Sequence, residues 1–288
     1  MKVLSIDGGG IRGLVSCRIL DLVDENIEKY DVFCGVSTGS MIACALADGY
    51  TPSEIRKLYN SHAKQVFGKG IKHWINRIYR MIRHLDPSVA KYDVAPLKKL
   101  LQNVFGDKKF KDLNKRVFVL TYNMSRDYPI LLDNRNILYE DLTIVDVCLM
   151  SASAPTYFDP YEVDGEFYID GSVIATRMAY LCVGIIDTIA EVTEIGTGLY
   201  SPSNPKNVDP KMGTIDWINE IVDVFLNSSK LNSYLLYLSK TIQFTRHDAL
   251  LKTNIKIDAS DDDSLKALNC ITEVDMITLS NVDTVQPK

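Results

Sequence analysis

The pentapeptide Gly35-Val36-Ser37-Thr38-Gly39 constrains this chain more than any other feature, because of what stands on either side of it. Before it lies the short apolar run from Val32 to Cys34. After it comes the small-residue segment from Thr38 to Ala47, closed by Gly49, so the serine falls at a strand-to-helix junction. So sharp a turn strains the backbone and brings neighbouring chain close, and Gly35 and Gly39 are the small flanking residues it requires. The serine hydroxyl is then raised above the end of a sheet, at a helix N-terminus that favours developing negative charge. The pattern alone is short, and a glycine-rich cap serving only packing would be spelled the same way.

The chain opens on the same arrangement. Val3 to Ile6 reads as a buried strand, Gly8 to Gly10 as a turn and Leu14 to Val23 as a helix. Further helices are predicted from Pro52 to about Lys64, from Ile71 to Leu85, from Val94 to Val104 and from Ile144 to Met150. Arg116 to Tyr122 and Tyr128 to Leu132 have the branched and aromatic content of strands. Tyr161 to Ile169 suggests a hairpin turning at Asp164-Gly165 and ending on Asp170-Gly171. Val192 to Ile195 makes a late strand, with Gly196-Thr197-Gly198 placed in the sheet. Ser201 to Pro210 reads as a loop, with helical segments from Thr214 to about Lys240. This alternation implies an α/β fold, a mainly parallel central sheet flanked by helices on both faces. It is read as one domain over 1–288, with residues after about 200 forming a helical C-terminal part.

A net charge of −5 gives no reason to expect nucleic acid as partner. The six cysteines stand singly in the sequence, without the close pairing of zinc sites or small disulfide frameworks, and read as reduced core residues. The first residues enter a strand at once, and no apolar run is long enough to span a bilayer, so a cytoplasmic protein is expected.

Asp7-Gly8-Gly9-Gly10-Ile11-Arg12-Gly13 contains Gly-x-Gly-x-x-Gly, the spacing of a dinucleotide-binding loop. The acidic residue that would hold a ribose is missing from the end of the second strand, which runs straight into Ser37. Three successive glycines instead offer a row of amide donors for an oxyanion. Arg12 would brace this loop or lie near a phosphate head group.

A serine hydroxyl needs a base. Of the four histidines, His62, His73 and His84 fall in or beside a basic helical stretch and read as surface residues. Only His247 follows Ser37 and Asp170 in the chain order of a Ser, Asp, His triad, in a polar setting without a motif. Asp170 is the stronger partner, an acid at a strand end beside Gly171, where chain or ligand can approach. A carboxylate of ordinary pKa near ~4 is a weak base, so some desolvation is expected to raise its basicity.

Taken in order, the glycine loop, the Ser37 pentapeptide, Ser151-Ala-Ser-Ala-Pro-Thr-Tyr-Phe158 and Asp170-Gly171 resemble the patatin-like phospholipase family. The resemblance implies a Ser–Asp dyad that cleaves fatty acyl esters of phospholipids or lysophospholipids through an acyl-serine, without a catalytic histidine, metal or cofactor. Ser37 matches the nucleophile, Asp170 the base, Gly8, Gly9 and Gly10 the oxyanion hole, and Arg12 its accompanying basic residue. It departs after Asp170-Gly171, where Ser172 to Arg177 replaces a second glycine and an Asn-Asn-Pro-like stretch. Some bacterial members are membrane-degrading effectors of antiphage defence switched on by a cyclic nucleotide, and such an activator, like a homo-oligomer, is compatible with this chain.

Between Glu54 and Asp86 there is no acidic residue but a series of Arg and Lys, with an apolar stripe from Ile71 to Leu85. Such a segment suits either an anionic membrane surface or a core-packed helix with a basic solvated side. Two rivals stand beside the dyad: an α/β-hydrolase-type esterase using His247, and a catalytically idle binding or scaffold protein.

Overall fold

The computed structural model describes residues 1–23, 26–68, 90–186, 188–200 and 241–281, together with Tyr234 and residues 237–239. The stretch from 71 to 85, the loop from 201 to 210 and nearly all of the segment from 214 to 240 lie outside the described residues. The elements are β1 (Lys2–Ile6), α1 (Gly13–Val23), β2 (Val32–Val36), α2 (Thr38–Ala47), α3 (Pro52–Phe67), α4 (Ala95–Phe105), β3 (Arg116–Asn123) and β4 (Tyr128–Asp133). They continue with α5 (Ile144–Ala152), β5 (Tyr161–Val163), β6 (Glu166–Asp170), α6 (Ala179–Ile185), β7 (Glu191–Ile195), β8 (Gln243–Ala249), α7 (Asp262–Asn269) and β9 (Met276–Ser280).

Among the described residues all nine strands belong to one sheet, ordered β5-β6-β3-β2-β1-β7-β8-β9, with β4 also on β3. The five strands β3, β2, β1, β7 and β8 are mutually parallel and form its centre; β4, β6 and β9 are antiparallel to their neighbours. One face packs Leu4, Ile6, Phe33 and Val119 against α1, α2 and α5. The other packs Val3, Val32, Cys34 and Phe118 against α6. The central strands are buried on both faces, so their sequences are apolar runs with no alternation. Helices on both faces of a mainly parallel sheet confirm the α/β architecture.

Two features differ from the sequence reading. The described part after residue 200 is not simply helical, since β8 and β9 add two strands to the same sheet. Gly196-Thr197-Gly198 lies just past the end of β7, with Gly196 N–H still bonded to the His247 carbonyl of β8 and Leu199 bridging Leu250 beyond it. The cysteines, separate in sequence, are partly paired in space. All six are free thiols, five of them buried, and Cys34 with Cys182 and Cys44 with Cys148 are close enough to influence each other's titration. Burial pushes the Cys34 thiol well up; for Cys44 the neighbouring Cys148 thiol does so first and burial second.

The topology brings the site together along one edge of β3. Its other edge is taken by β4 from Phe118 to Asn123. β2 must therefore occupy the near edge as far as Val36 beside Leu120, and β6 the same edge from the opposite direction, ending with Asp170 beside Thr121. Two strands that arrive head to head leave Ser37 and Asp170 facing each other across the gap.

Candidate active site

Ser37 has φ 56° and ψ −127°, a conformation a non-glycine residue adopts only under constraint. Here the constraint is visible. Its N–H donates to Ser151 Oγ at 2.9 Å, and its C=O accepts from Ser40 N–H at 3.0 Å and Ser40 Oγ at 2.6 Å. The glycines flanking it are required by close packing. A Cβ on Gly39 would lie 2.2 Å from the Ile6 carbonyl oxygen, where α2 crosses the end of β1, and Gly35, in β2, is packed on Gly39 itself.

Asp170 is buried and lines the same cavity as Ser37. Ser172 N–H donates to its Oδ1 at 2.7 Å, and Asp170 N–H donates to the Ser153 carbonyl at 3.0 Å. Gly171 lies against the Leu120 carbonyl, 2.3 Å from any Cβ placed there, which lets the chain turn away behind the acid. Burial raises the Asp170 pKa to about 6, although the neighbouring Ser37 hydroxyl and the Ser172 N–H pull the other way.

The three glycines are not equivalent. Gly8 N–H is already committed to the Thr176 carbonyl at 3.0 Å, and its carbonyl accepts from Thr197 Oγ1 at 3.1 Å. Gly9 and Gly10 line the cavity that holds Ser37 and Asp170. Gly10 has φ +57°, and a Cβ there would meet the Ile257 carbonyl at 2.2 Å; that same carbonyl takes Ile11 N–H at 2.8 Å. Arg12 is half-buried in the following turn, its N–H bonded to the Gly9 carbonyl.

The cavity has a volume of about 110 Å³ and is apolar nearly throughout. From Ser37 it follows one side of α2 past Met41 to Ala45, between α3 and α4. His62 also lines it, half-buried on α3 with Nδ1 at 3.0 Å from the Leu58 carbonyl, and not on the open surface as its basic surroundings suggest. His247 lies elsewhere: its ring meets Thr278 Oγ1 at 3.0 Å on β9, and it does not line the cavity. Two of the basic residues around α3 are paired, Arg56 with Asp21 and Lys64 with Asp262. Among the described residues no group of three or more His, Cys, Asp or Glu could hold a metal ion, and no helix is long and apolar enough to cross a membrane.

The sequence profile of the patatin-like phospholipase family matches residues 4–180. This chain belongs to that family. It is 27% identical over 200 residues to the cGAMP-activated phospholipase of Vibrio cholerae, covering 63% of this chain and 56% of that protein. It therefore spans little more than half the length of that relative. Patatin-like protein 1 of Arabidopsis thaliana is 22% identical over 343 residues, covering 99% of this chain and 80% of that protein. Among solved structures, VipD from Legionella pneumophila covers 96% of this chain and 67% of its own, at 15% identity and a TM-score of 0.42.

Proposed function

We propose that this protein hydrolyses fatty acyl esters of membrane phospholipids with Ser37 as nucleophile and Asp170 as its base. The observation that carries this reading is the juxtaposition of Ser37 and a buried carboxylate whose pKa is raised to about 6, at the facing ends of β2 and β6 and lining one apolar cavity. A base poised that near neutral pH removes a proton more effectively than an exposed aspartate. Asp170 takes the Ser37 proton as Oγ bonds to the ester carbonyl carbon. The resulting oxyanion is held by the N–H groups of Gly9 and Gly10, since that of Gly8 is engaged and that of Ser37 is bonded to Ser151. The intermediate collapses to an acyl-Ser37 ester, and Asp170 returns the proton to the leaving alcohol oxygen. Water, losing a proton to Asp170, then attacks the acyl carbon, and Asp170 returns that proton to Ser37 Oγ as its bond to the acyl carbon breaks and the fatty acid is freed.

Acting on such a substrate requires a phospholipid surface, so we place the working enzyme as a cytoplasmic protein that associates peripherally with membranes. Wild type, Ser37→Ala and His247→Ala incubated with mixed phospholipid vesicles, with products identified by mass spectrometry, test the assignment. Fatty acid release should fall by roughly 10³-fold or more in Ser37→Ala and stay within about twofold of wild type in His247→Ala. Release retained by Ser37→Ala overturns it. The cGAMP-activated relative supports a cyclic dinucleotide as activator, and with such an activator we propose a role in antiphage defence. A parallel arm with cGAMP should raise the rate, and an unchanged rate and assembly state would remove that part.

The cavity also implies a limit on acyl length. Ala45 stands eight residues beyond Ser37 on α2, ~12 Å along the helix at ~1.5 Å per residue. Ala45→Leu should fill the far end and displace two or three methylenes of a long chain. At ~0.8 kcal/mol per buried CH₂ that lowers kcat/KM for long-chain esters by roughly 10- to 50-fold, while short-chain esters are turned over as in wild type. Equal losses on both would place the acyl chain elsewhere.

A further inference from the structure

The chain leaving α5 touches both members of the dyad. Ser151 is fully buried, and its hydroxyl does two things at once: it accepts the Ser37 N–H at 2.9 Å and donates to the Leu120 carbonyl at 2.7 Å. Two residues on, the Ser153 carbonyl accepts the Asp170 N–H at 3.0 Å, and the Ser153 hydroxyl is tied back to the Leu149 carbonyl at 2.8 Å. Nucleophile and base are thus hung from one short segment, on the face of the sheet that also holds the substrate cavity. We infer that Ser151 is a positioning residue for the reaction: its hydroxyl fixes the strained Ser37 peptide against β3, and so sets the direction of the Ser37 Oγ relative to Asp170.

The chemistry at this point leaves little freedom. With φ at 56°, the Ser37 peptide lies in a conformation costing of order 1–3 kcal/mol, and it persists only while its surroundings over-determine it. The Ser40 contacts fix its carbonyl end, and Ser151 Oγ is what fixes its amide end. Without that acceptor a buried N–H is left unbonded, and rotating the peptide to satisfy it swings the nucleophile. Displacements of ~1 Å can cost ~10²-fold in rate. A buried hydroxyl also contributes ordinary stability, so the test must separate holding the fold from aiming the serine.

Ser16 provides the comparison. Its hydroxyl is as buried as that of Ser151 and also donates to a carbonyl, Gly196 at 2.8 Å, but it does not touch Ser37 or Asp170. Ser151→Ala and Ser16→Ala are compared with wild type for thermal stability, for the rate of Ser37 modification by an alkyl fluorophosphonate, and for kcat and KM on a short-chain ester per labelled site. Both variants should lose similar stability. Ser151→Ala alone should show modification rate and kcat reduced together by roughly 30- to 100-fold, with KM within about threefold. Ser151→Cys, which keeps a weak acceptor of similar shape, should fall between, and it decides the matter if Ser151→Ala yields no folded protein. A Ser151 variant whose kcat per labelled site stays within threefold of wild type overturns the inference. Because this rests on the dyad reading above, wild type serves as the check on that reading: no modification of Ser37 in wild type would refute the dyad itself, whereas equal modification of wild type and Ser151 variants refutes only the role of Ser151.

Discussion

Replacing Asp170 with Asn is expected to abolish ester turnover and, at neutral and alkaline pH, to make the protein harder to unfold. Both effects come from one cause. The carboxylate is buried beside Ser37, and burial raises its pKa to about 6 from an ordinary value near ~4. A group with a higher pKa in the folded chain binds more protons there than in the unfolded chain. Below pH ~4 it is protonated in both states and costs nothing. Stability is lost progressively between pH ~4 and ~6, and above that the folded protein carries the full penalty. A difference of about two units corresponds to about 3 kcal/mol. Asn cannot ionise and avoids that penalty, and its amide oxygen can still accept the Ser172 N–H. Thermal melts of Asp170→Asn should lie several degrees above wild type at pH 8 and converge with it near pH 4. Turnover should fall by roughly 10³-fold or more, because no base remains. In wild type, kcat/KM should rise with pH and level off above about 6. An Asn variant no more stable than wild type at pH 8 would show that the carboxylate is not held at this cost.

Much of the site was legible because its requirements are local. A serine between glycines at a strand-to-helix junction gains its weight from that local context, and α2 runs from Thr38 to Ala47 as its small residues suggest. The Asp170-Gly171 pair marked a strand end correctly, though nothing in the sequence reveals that β6 meets β2 head to head on the same edge of β3. That depends on which edge β4 occupies, a matter of tertiary pairing. The unequal glycines were hidden for the same reason: Gly8 is taken by Thr176, a residue 168 positions away. His62 was misplaced because a run of basic neighbours outweighed its position on the inward side of α3, one turn beyond Tyr59. β8 was missed because its inward residues are charged. Gln-Phe-Thr-Arg-His-Asp-Ala alternates buried and less buried positions, but two of the buried ones are Arg246 and Asp248, so the pattern reads as a polar loop around His247.

Those two residues carry the second large effect. Arg246 is buried and donates from Nη1 to Glu194 and from Nη2 to Asp7, both at 2.7 Å, and also pairs with Asp248. Asp248 in turn accepts the amides of Gly198 and Ala249, each at 2.9 Å, and lies where any side chain on Gly196 would have to be. Asp7 is the residue immediately before the glycine loop, and Arg177 approaches its carboxylate at 3.5 Å. Three carboxylates thus converge on one guanidinium beneath Gly8 and Thr197. Burial pushes Asp7 upward, the Arg246 charge opposing it and Glu194 adding to it. Arg246→Met keeps much of the apolar stem and removes the charge, leaving the acids buried without their common partner. Breaking such a group by removing one member typically costs 3–5 kcal/mol, here roughly 10 °C in melting temperature. Lys would not restore it, since a single ammonium cannot reproduce the planar fork that reaches three acids. The sign of the pH dependence is fixed. Without the Arg246 charge that opposes the effect of burial, Asp7 holds its proton to higher pH in the folded chain, so the stability gap between variant and wild type should widen from pH 5 to pH 8. Melts at the two pH values, with Ser37 modification measured alongside, check it. A constant gap, or one below ~1 kcal/mol, would mean that the acids find other partners and that the glycine loop does not depend on this arginine.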